Sequence, residues 1–134
     1  PFTLTEANRL IPYLEEQLRV FQELYLKLEE YRDRISVLRL VSASAGPDHE
    51  DLLNIEGKAR GTARLLAELQ KEILSTGCAP KSYRDGLVDF FTLRGDRLVF
   101  LCWKLGESEI EWWHSLEGGF QKRRPISELV PETE

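Results

Sequence analysis

A single apolar stripe dominates the first third of the chain. Apolar residues recur every three or four positions from Ala7 to Leu38 without interruption. This period is typical of one face of an α-helix, so the stripe predicts one long amphipathic helix over residues 4–41. Thr3 and Glu6 have the spacing of a capping box, in which each side chain bonds the other residue's backbone N–H, and they mark the start of the helix. The stripe consists of Ala7, Leu10, Ile11, Leu14, Leu18, Phe21, Leu24, Tyr25, Leu28, Tyr31, Ile35 and Leu38.

A second stripe with the same period follows after a short break. Gly46 and Pro47 lie in a small-residue segment, residues 42–48, that stops the first helix. The second stripe predicts a helix over residues 49–76, ending at Gly77. Because the connection is short, we expect the two helices to lie antiparallel as a coiled-coil-like helical hairpin. The second stripe consists of Leu52, Ile55, Ala59, Ala63, Leu66, Leu69 and Ile73.

The period of the pattern changes in the last third of the chain. Two strand-length runs rich in β-branched and aromatic residues, Leu87–Leu93 and Leu98–Trp103, lie on either side of Gly95-Asp96. A glycine-containing pair between two such runs is typical of a tight hairpin turn. The pattern therefore predicts a β-hairpin over residues 87–104.

The expected register of this hairpin decides which side chains share a face. If Arg94 pairs with Arg97, then Asp89 lies opposite Cys102. One face then carries Val88, Phe90, Thr92, Val99, Leu101 and Trp103, and the other carries Leu87, Asp89, Phe91, Leu93, Leu98, Phe100, Cys102 and Lys104. Since both faces are rich in apolar residues, we expect both to be covered, one of them by a second subunit.

The segment over residues 109–115 allows two interpretations. Ser108 and Glu111 have capping-box spacing, which would start a short helix. The alternation of residue types within the segment favours a third antiparallel strand instead. A C-terminal tail is expected over residues 126–134, with Val130 to Glu134 frayed.

These elements together predict an α+β fold in a single domain over residues 1–134. It would consist of a long antiparallel helical hairpin followed by a small antiparallel β-sheet of two to three strands. Two helices alone cannot cover each other's stripes along their full length. We therefore expect a homo-oligomer, a dimer, in which the hairpins form a four-helix bundle or the sheets meet face to face.

Composition narrows the class of protein. Charged residues make up 31% of the chain and hydrophobic residues 42%, as in a globular domain. The net charge of −5 opposes nucleic-acid binding, which needs a basic surface. No apolar run approaches the ~20 residues of a membrane span, so no membrane partner is expected. The two cysteines are too few for a disulfide framework, which favours a reduced, cytoplasmic chain.

His114 is the main candidate for a metal ligand or a catalytic base. It lies beside two tryptophans in the last third of the chain, where acidic residues also occur. With Asp89 and Glu107 it forms a set of two carboxylates and one histidine that suits a metal ion, or a carboxylate–histidine pair that suits a general base. The alternative is a structural histidine, hydrogen-bonded within the sheet.

Two more residues in this region are candidates for ligand binding or reactivity. Arg123, in a short basic cluster, could bind a carboxylate or a phosphate, or simply lie in a solvated turn. Cys102 is interpreted as a small buried side chain and not as a nucleophile, because burial and the neighbouring Asp89 would raise the pKa of its thiol. No motif identifies a cofactor.

Several short blocks of the chain match a pattern shared by known proteins. The blocks are Phe2-Thr3-Leu4-Thr5-Glu6-Ala7-Asn8, Gly86-Leu87-Val88-Asp89-Phe90, Leu101-Cys102-Trp103-Lys104-Leu105-Gly106-Glu107, Trp113-His114, and Gly119-Phe120 with Arg123 and Pro125. Together they resemble a small prokaryotic family known as domain of unknown function 2203. The resemblance covers nearly the whole chain. It implies no activity, but it marks Asp89, Cys102, Trp103, Glu107, Trp113, His114 and Arg123 as positions to examine.

The chain departs from the family pattern at four positions or pairs. Its hairpin turn is Gly95-Asp96, where the family commonly shows Asp-Gly. Phe91 and Leu98 stand where a proline and a polar residue are expected, which makes that sheet face more apolar. Lys122 replaces an expected glycine, and its side chain disfavours a tight backbone approach before Arg123.

Two functional hypotheses follow from these observations. The first is an oligomeric interaction or scaffold protein that uses the helical hairpin to bind a protein partner. The second is a small-ligand or metal-binding protein, which could act as an enzyme, with its site at the sheet. The ligand-binding candidates are Asp89, Glu107, His114, Arg123, Trp103 and Trp113, and the metal-binding candidates are His114, Asp89 and Glu107.

Overall fold

The protein has an α+β fold, with two long helices packed against each other and an antiparallel sheet. The structure is a computed structural model that describes residues 1–129, so the tail from Val130 to Glu134 lies outside the described residues. The helices are α1 (Leu4–Val41) and α2 (Pro47–Ser75). The strands are β1 (Ala79–Ser82), β2 (Leu87–Arg94), β3 (Arg97–Lys104), β4 (Trp112–His114) and β5 (Arg124–Pro125). Single-turn 3₁₀ helices cover Phe120–Lys122 and Ile126–Glu128.

The chain divides into two compact units. The first comprises Pro1–Leu18 and the chain from Glu72 onward, and the second comprises Arg19–Lys71. The first unit therefore contains the start of α1, the end of α2 and all five strands, and the second contains the remainder of both helices.

The second unit is a helical hairpin with an apolar seam. Leu28 and Ile35 of α1 are buried there, and so are Ile55, Leu66 and Leu69 of α2. All five belong to the two apolar stripes of the sequence. The stripes are only partly buried in this unit, because Tyr25 is 40% exposed and Ala63 is also exposed. An ion pair between Arg39 Nη2 and Glu56 Oε2, 2.9 Å apart, also joins the two helices.

The start of α1 confirms the predicted capping box. The Thr3 N–H donates to Glu6 Oε1 at 2.9 Å, and the Glu6 N–H donates to Thr3 Oγ1 at 3.1 Å. Within the first unit this end of the helix is tied to the sheet. The Phe2 N–H donates to the Phe91 carbonyl at 2.6 Å, and the Phe2 ring meets the Phe90 ring edge to face at 5.3 Å.

The central hairpin of the sheet has the register that the sequence predicts. Strands β2 and β3 pair antiparallel from Leu87↔Lys104 to Arg94↔Arg97, and Asp89 lies opposite Cys102. Gly95 in the turn has φ +64°, as expected at the first central position of a type II′ turn. The face that carries Val88, Phe90, Leu101 and Trp103 forms the core of the first unit, and all four of these side chains are fully buried.

Within residues 1–129 the sheet has five strands in the order β1-β2-β3-β4-β5, and the expectation of two to three is wrong. Of the two interpretations of residues 109–115, the strand is confirmed, because Trp112–His114 pairs with β3. The two missed strands lie at the edges of the sheet and each contains a proline. Pro80 is opposite Val88 and Pro125 is opposite Trp112. A proline has no N–H to donate and is depleted in strands, so neither segment shows a strand signal in the sequence.

Over residues 1–129, neither helix contains an apolar stretch long enough to cross a membrane.

Gly86, just before β2, is a position where only glycine fits. Its φ is +70°, and a Cβ built there would collide with the Cβ of Leu105.

We expect Gly86→Ala to lower the free energy of unfolding by about 3 kcal/mol, because the costs of backbone strain and of overpacking add up at this position. Gly95→Ala is the matched control, since its φ is +64° but nothing lies within 4 Å of the new Cβ. It should lose only about 1 kcal/mol. Urea unfolding followed by tryptophan fluorescence measures both, and equal losses would contradict this account.

Candidate functional site

Three polar side chains of different types meet on the sheet face opposite the core. They are Asp89 of β2, Cys102 of β3 and His114 of β4, and their exposed fractions are 3%, 2% and 4%. Their carboxylate oxygen, sulfur and imidazole nitrogen all lie within 4.8 Å of one another. The sheet brings them together because Asp89 lies opposite Cys102, and β4 places His114 beside Phe100, two residues before Cys102. Side chains two residues apart on a strand share a face.

His114 is held at both ring nitrogens. Nδ1 lies 2.8 Å from the carbonyl oxygen of Ser115, and Nε2 lies 2.9 Å from Asp89 Oδ2. A carbonyl oxygen only accepts, so Nδ1 carries a proton and donates it to Ser115. In the neutral ring, Nε2 then directs a lone pair at the Asp89 carboxylate. At 2.9 Å this contact is a hydrogen bond, with its proton on either Nε2 or the Asp89 carboxyl group, or else the two atoms are bridged by a cation.

Cys102 is a neutral thiol in this environment. Burial, followed by the charge of Asp89, raises the pKa of Cys102 to about 12. The charge of Arg123 acts in the opposite direction but is a smaller effect. At neutral pH the side chain is therefore protonated, in agreement with the interpretation that it is not a nucleophile.

A cavity of about 320 Å³ opens beside the three side chains. Asp89, Cys102 and His114 all line it, together with Lys81 and the rings of Phe100 and Phe120. The Lys81 ammonium lies 5.2 Å from the centre of the Phe100 ring, and that ring lies 5.1 Å from the imidazole of His114. The three polar side chains are thus buried from bulk solvent yet face a space that can hold a small molecule.

Glu107, which the sequence predicts as a metal ligand, does not lie with Asp89 and His114 in the structure. Its carboxylate accepts two hydrogen bonds from Arg123 Nη1, at 3.0 and 3.2 Å, and a third from the Lys104 N–H at 2.7 Å. These contacts satisfy the carboxylate, and Glu107 is not part of the group with Asp89 and His114. Cys102 takes its place as the third candidate ligand.

The other ligand-binding candidates do not line the cavity. The guanidinium of Arg123 lies 4.1 Å from the Phe120 ring centre and is paired with Glu107. Trp103 is fully buried, and its Nε1–H donates to the carbonyl of Glu107 at 2.8 Å. Trp113 lies opposite Leu101, on the core face of the sheet. Of the six candidates, the cavity therefore contains only Asp89 and His114.

Sequence reasoning missed two residues of the site for different reasons. The sequence places Cys102 opposite Asp89, as the structure confirms, but its residue type indicates only a small buried side chain. Lys81 lies in β1, a strand that the sequence pattern does not predict. The pairing of β1 shifts between Pro80 and Ser82, so Lys81 is the extra residue of a β-bulge.

Residues 1–126 match the model of a family described as "Uncharacterized conserved protein (DUF2203)", and the chain belongs to this family. The resemblance noted in the sequence is thereby confirmed. No curated protein and no solved structure gives a significant match to the chain.

The environment of Cys102 predicts low thiol reactivity. A pKa of about 12 in place of 9.0 makes its thiolate about a thousandfold scarcer at pH 8. Burial also raises the pKa of Cys78. In the folded, metal-free protein we expect iodoacetamide to alkylate both cysteines far more slowly than after unfolding in urea. Site-resolved mass spectrometry measures the two rates, and fast labelling of Cys102 in the folded protein would refute this description of the site.

Proposed function

We propose that this member of the DUF2203 family is a metal-binding protein in which Asp89, Cys102 and His114 hold a divalent transition metal ion, best exemplified by Zn²⁺. The observation that carries the proposal is the convergence of three buried ligand atoms within 4.8 Å. It is a form of the second functional hypothesis from the sequence, with Cys102 in place of Glu107.

The types of ligand favour a particular group of metals. A sulfur, a nitrogen and an oxygen together suit Zn²⁺ and its neighbours, whereas Mg²⁺ and Ca²⁺ prefer oxygen ligands alone. Three protein ligands leave one position of a tetrahedral ion open, as in zinc sites that bind water or substrate. Since all three side chains line the cavity, that position would be accessible to a small molecule.

The contacts of His114 support the same proposal. Metal-binding histidines usually donate their second ring N–H to a carboxylate or carbonyl oxygen, and Nδ1 of His114 does so to Ser115. Nε2 and Asp89 Oδ2 face each other at 2.9 Å. Zinc lies about 2.0–2.2 Å from nitrogen and oxygen ligands, so a small adjustment would let one ion bind both atoms in place of the proton.

Metal binding requires a reduced Cys102, and we propose a cytoplasmic location on this ground. Both cysteines of the chain are free and buried. Cys102 would lose its thiol proton when the ion binds, and a disulfide or oxidised sulfur could not serve as the same ligand.

Titration of the chelator-treated protein with Co²⁺ and Zn²⁺ tests the proposal. We expect one ion per chain, and thiolate-to-metal charge-transfer absorption with Co²⁺. His114→Ala and Cys102→Ala should each lower the affinity at least about 100-fold, because each removes a direct ligand. The controls are His49→Ala and Cys78→Ala, which remove the only other histidine and cysteine. Both should bind as the wild type does.

The variant Glu107→Gln tests whether the third metal ligand is Cys102, as proposed, or Glu107, as expected from the sequence. This variant should keep its metal affinity, because Glu107 is bound by Arg123 and lies outside the ligand group. Circular dichroism of each variant shows whether it folds. If the folded wild type binds neither ion, or if His114→Ala binds as well as wild type, then the contact between Asp89 and His114 is purely structural and the proposal fails.

The homodimer expected from the sequence, in the form in which two sheets meet face to face, is a second proposal supported by one observation. Phe91, Leu93 and Leu98 lie on one face of the β2–β3 hairpin, with exposed fractions of 39%, 46% and 43%. A cluster of large apolar side chains on a sheet face is typical of a protein interface. We propose that a second copy of the chain covers it.

Light scattering coupled to size exclusion tests the dimer. The expected mass is twice the 15.5 kDa of one chain, and Leu98→Glu should shift it toward the monomer. Leu26→Glu, at an exposed position in the second unit, is the matched control and should remain dimeric. A monomeric wild type at micromolar concentration, or dissociation by Leu26→Glu alone, would contradict an interface at the sheet.

A further inference from the structure

The wall of the cavity beside Asp89, Cys102 and His114 combines one flexible cation with apolar rings. Among the described residues that line the cavity, Lys81 is the single lysine and there is no arginine. Lys81 is exposed and is the extra residue of the bulge between Pro80 and Ser82. Bulges re-aim side chains and are frequent next to functional sites. Here the bulged residue places an ammonium group at the cavity.

The charge balance of the proposed metal site indicates what the cavity can bind. The carboxylate of Asp89 and the thiolate of Cys102 would together neutralise a divalent ion, and His114 would bind as the neutral ring. The charge of Lys81 would then remain in the cavity wall without a counterion from the metal site. A ligand with a single negative charge would restore neutrality there.

The size and surface of the cavity limit the ligand further. A volume of about 320 Å³ is at the low end of the ~300–1,000 Å³ typical of small-molecule sites. Phe100, Leu116 and Phe120 contribute apolar surface. A phosphate dianion would call for more than one cationic partner, and the nearby Arg123 is already bound to Glu107. The walls therefore suit a small monocarboxylate with an apolar body.

We infer that the cavity binds a small aromatic or aliphatic monocarboxylate, whose acidic group is recognised by Lys81 and the open position of the metal ion. The apolar body of this ligand would lie among Phe100, Leu116 and Phe120. The inference rests on the proposed function, because it takes the metal ion held by Asp89, Cys102 and His114 as one of its two recognition groups.

Titration of the Co²⁺-loaded protein with phenylacetate tests the inference, and phenylacetamide is the neutral probe of the same shape. Phenylacetate should change the visible absorption of the bound Co²⁺ in a saturable manner. It should bind at least about tenfold more tightly than phenylacetamide, because the amide lacks the charge that Lys81 recognises. Propionate, which keeps the charge but lacks the ring, should bind more weakly than phenylacetate.

Lys81 variants identify the recognition group. Lys81→Gln should weaken phenylacetate binding about tenfold and leave the affinity for Co²⁺ unchanged, and Lys81→Arg should retain most of the phenylacetate binding. Lys58→Gln, an exposed lysine of the second unit, should bind phenylacetate as wild type does.

The outcomes separate the two proposals. If the wild type does not bind Co²⁺, the proposed function fails and this inference fails with it. If Co²⁺ binds but phenylacetate leaves its spectrum unchanged, or binds equally well to Lys81→Gln, then the inference alone is overturned. Equal affinity for phenylacetate and phenylacetamide would overturn it as well.

Discussion

The register of the β2–β3 hairpin is the constraint on which the candidate site depends. Side chains of a strand alternate between faces, so a slip of one residue would send every side chain of that strand to the other face. Such a slip would move Asp89 into the core and bring Val88 to the cavity. The two-residue turn at Gly95-Asp96 opposes this, because it fixes Arg94 opposite Arg97. The fully buried row that includes Phe90 and Trp103 opposes it as well.

The polar side chains on the other face impose a cost that their mutual contacts offset. A carboxylate that is only 3% exposed is unfavourable unless it is paired and hydrogen-bonded. Asp89 has His114 as its partner, and His114 in turn is fixed by the Ser115 carbonyl. Next to them, Arg123 and Glu107 form a second pair. Both pairs affect the pKa of the Cys102 thiol, because Asp89 raises it and Arg123 lowers it.

The sequence predicts the position of those site residues that lie in regular strands, where side chains alternate between the two faces. It does not predict the position of residues that lie in loops or at a bulge. Asp89 and Cys102 could be placed opposite each other because a tight turn and two clear strands determine their pairing. Glu107 could not be placed, because it follows β3 in a loop, where its carboxylate turns back to the Lys104 N–H. The position of Lys81 cannot be predicted from the sequence either. Its strand contains a proline and a bulge, and both remove the period-two signal on which strand prediction rests.

The role of Cys102 shows why one geometry supports two opposite interpretations. A carboxylate beside a buried thiol stabilises the proton on sulfur, so the same thiol is a poor nucleophile. The negative potential that holds this proton also attracts a divalent cation, and the cation would replace the proton on sulfur. The pKa of about 12 therefore describes the metal-free thiol and does not oppose the proposed metal site. What decides between packing and binding is the arrangement around the sulfur. A histidine whose second nitrogen already has a hydrogen-bond partner, and a cavity on the remaining side, are the features that an ion with an open coordination position would use.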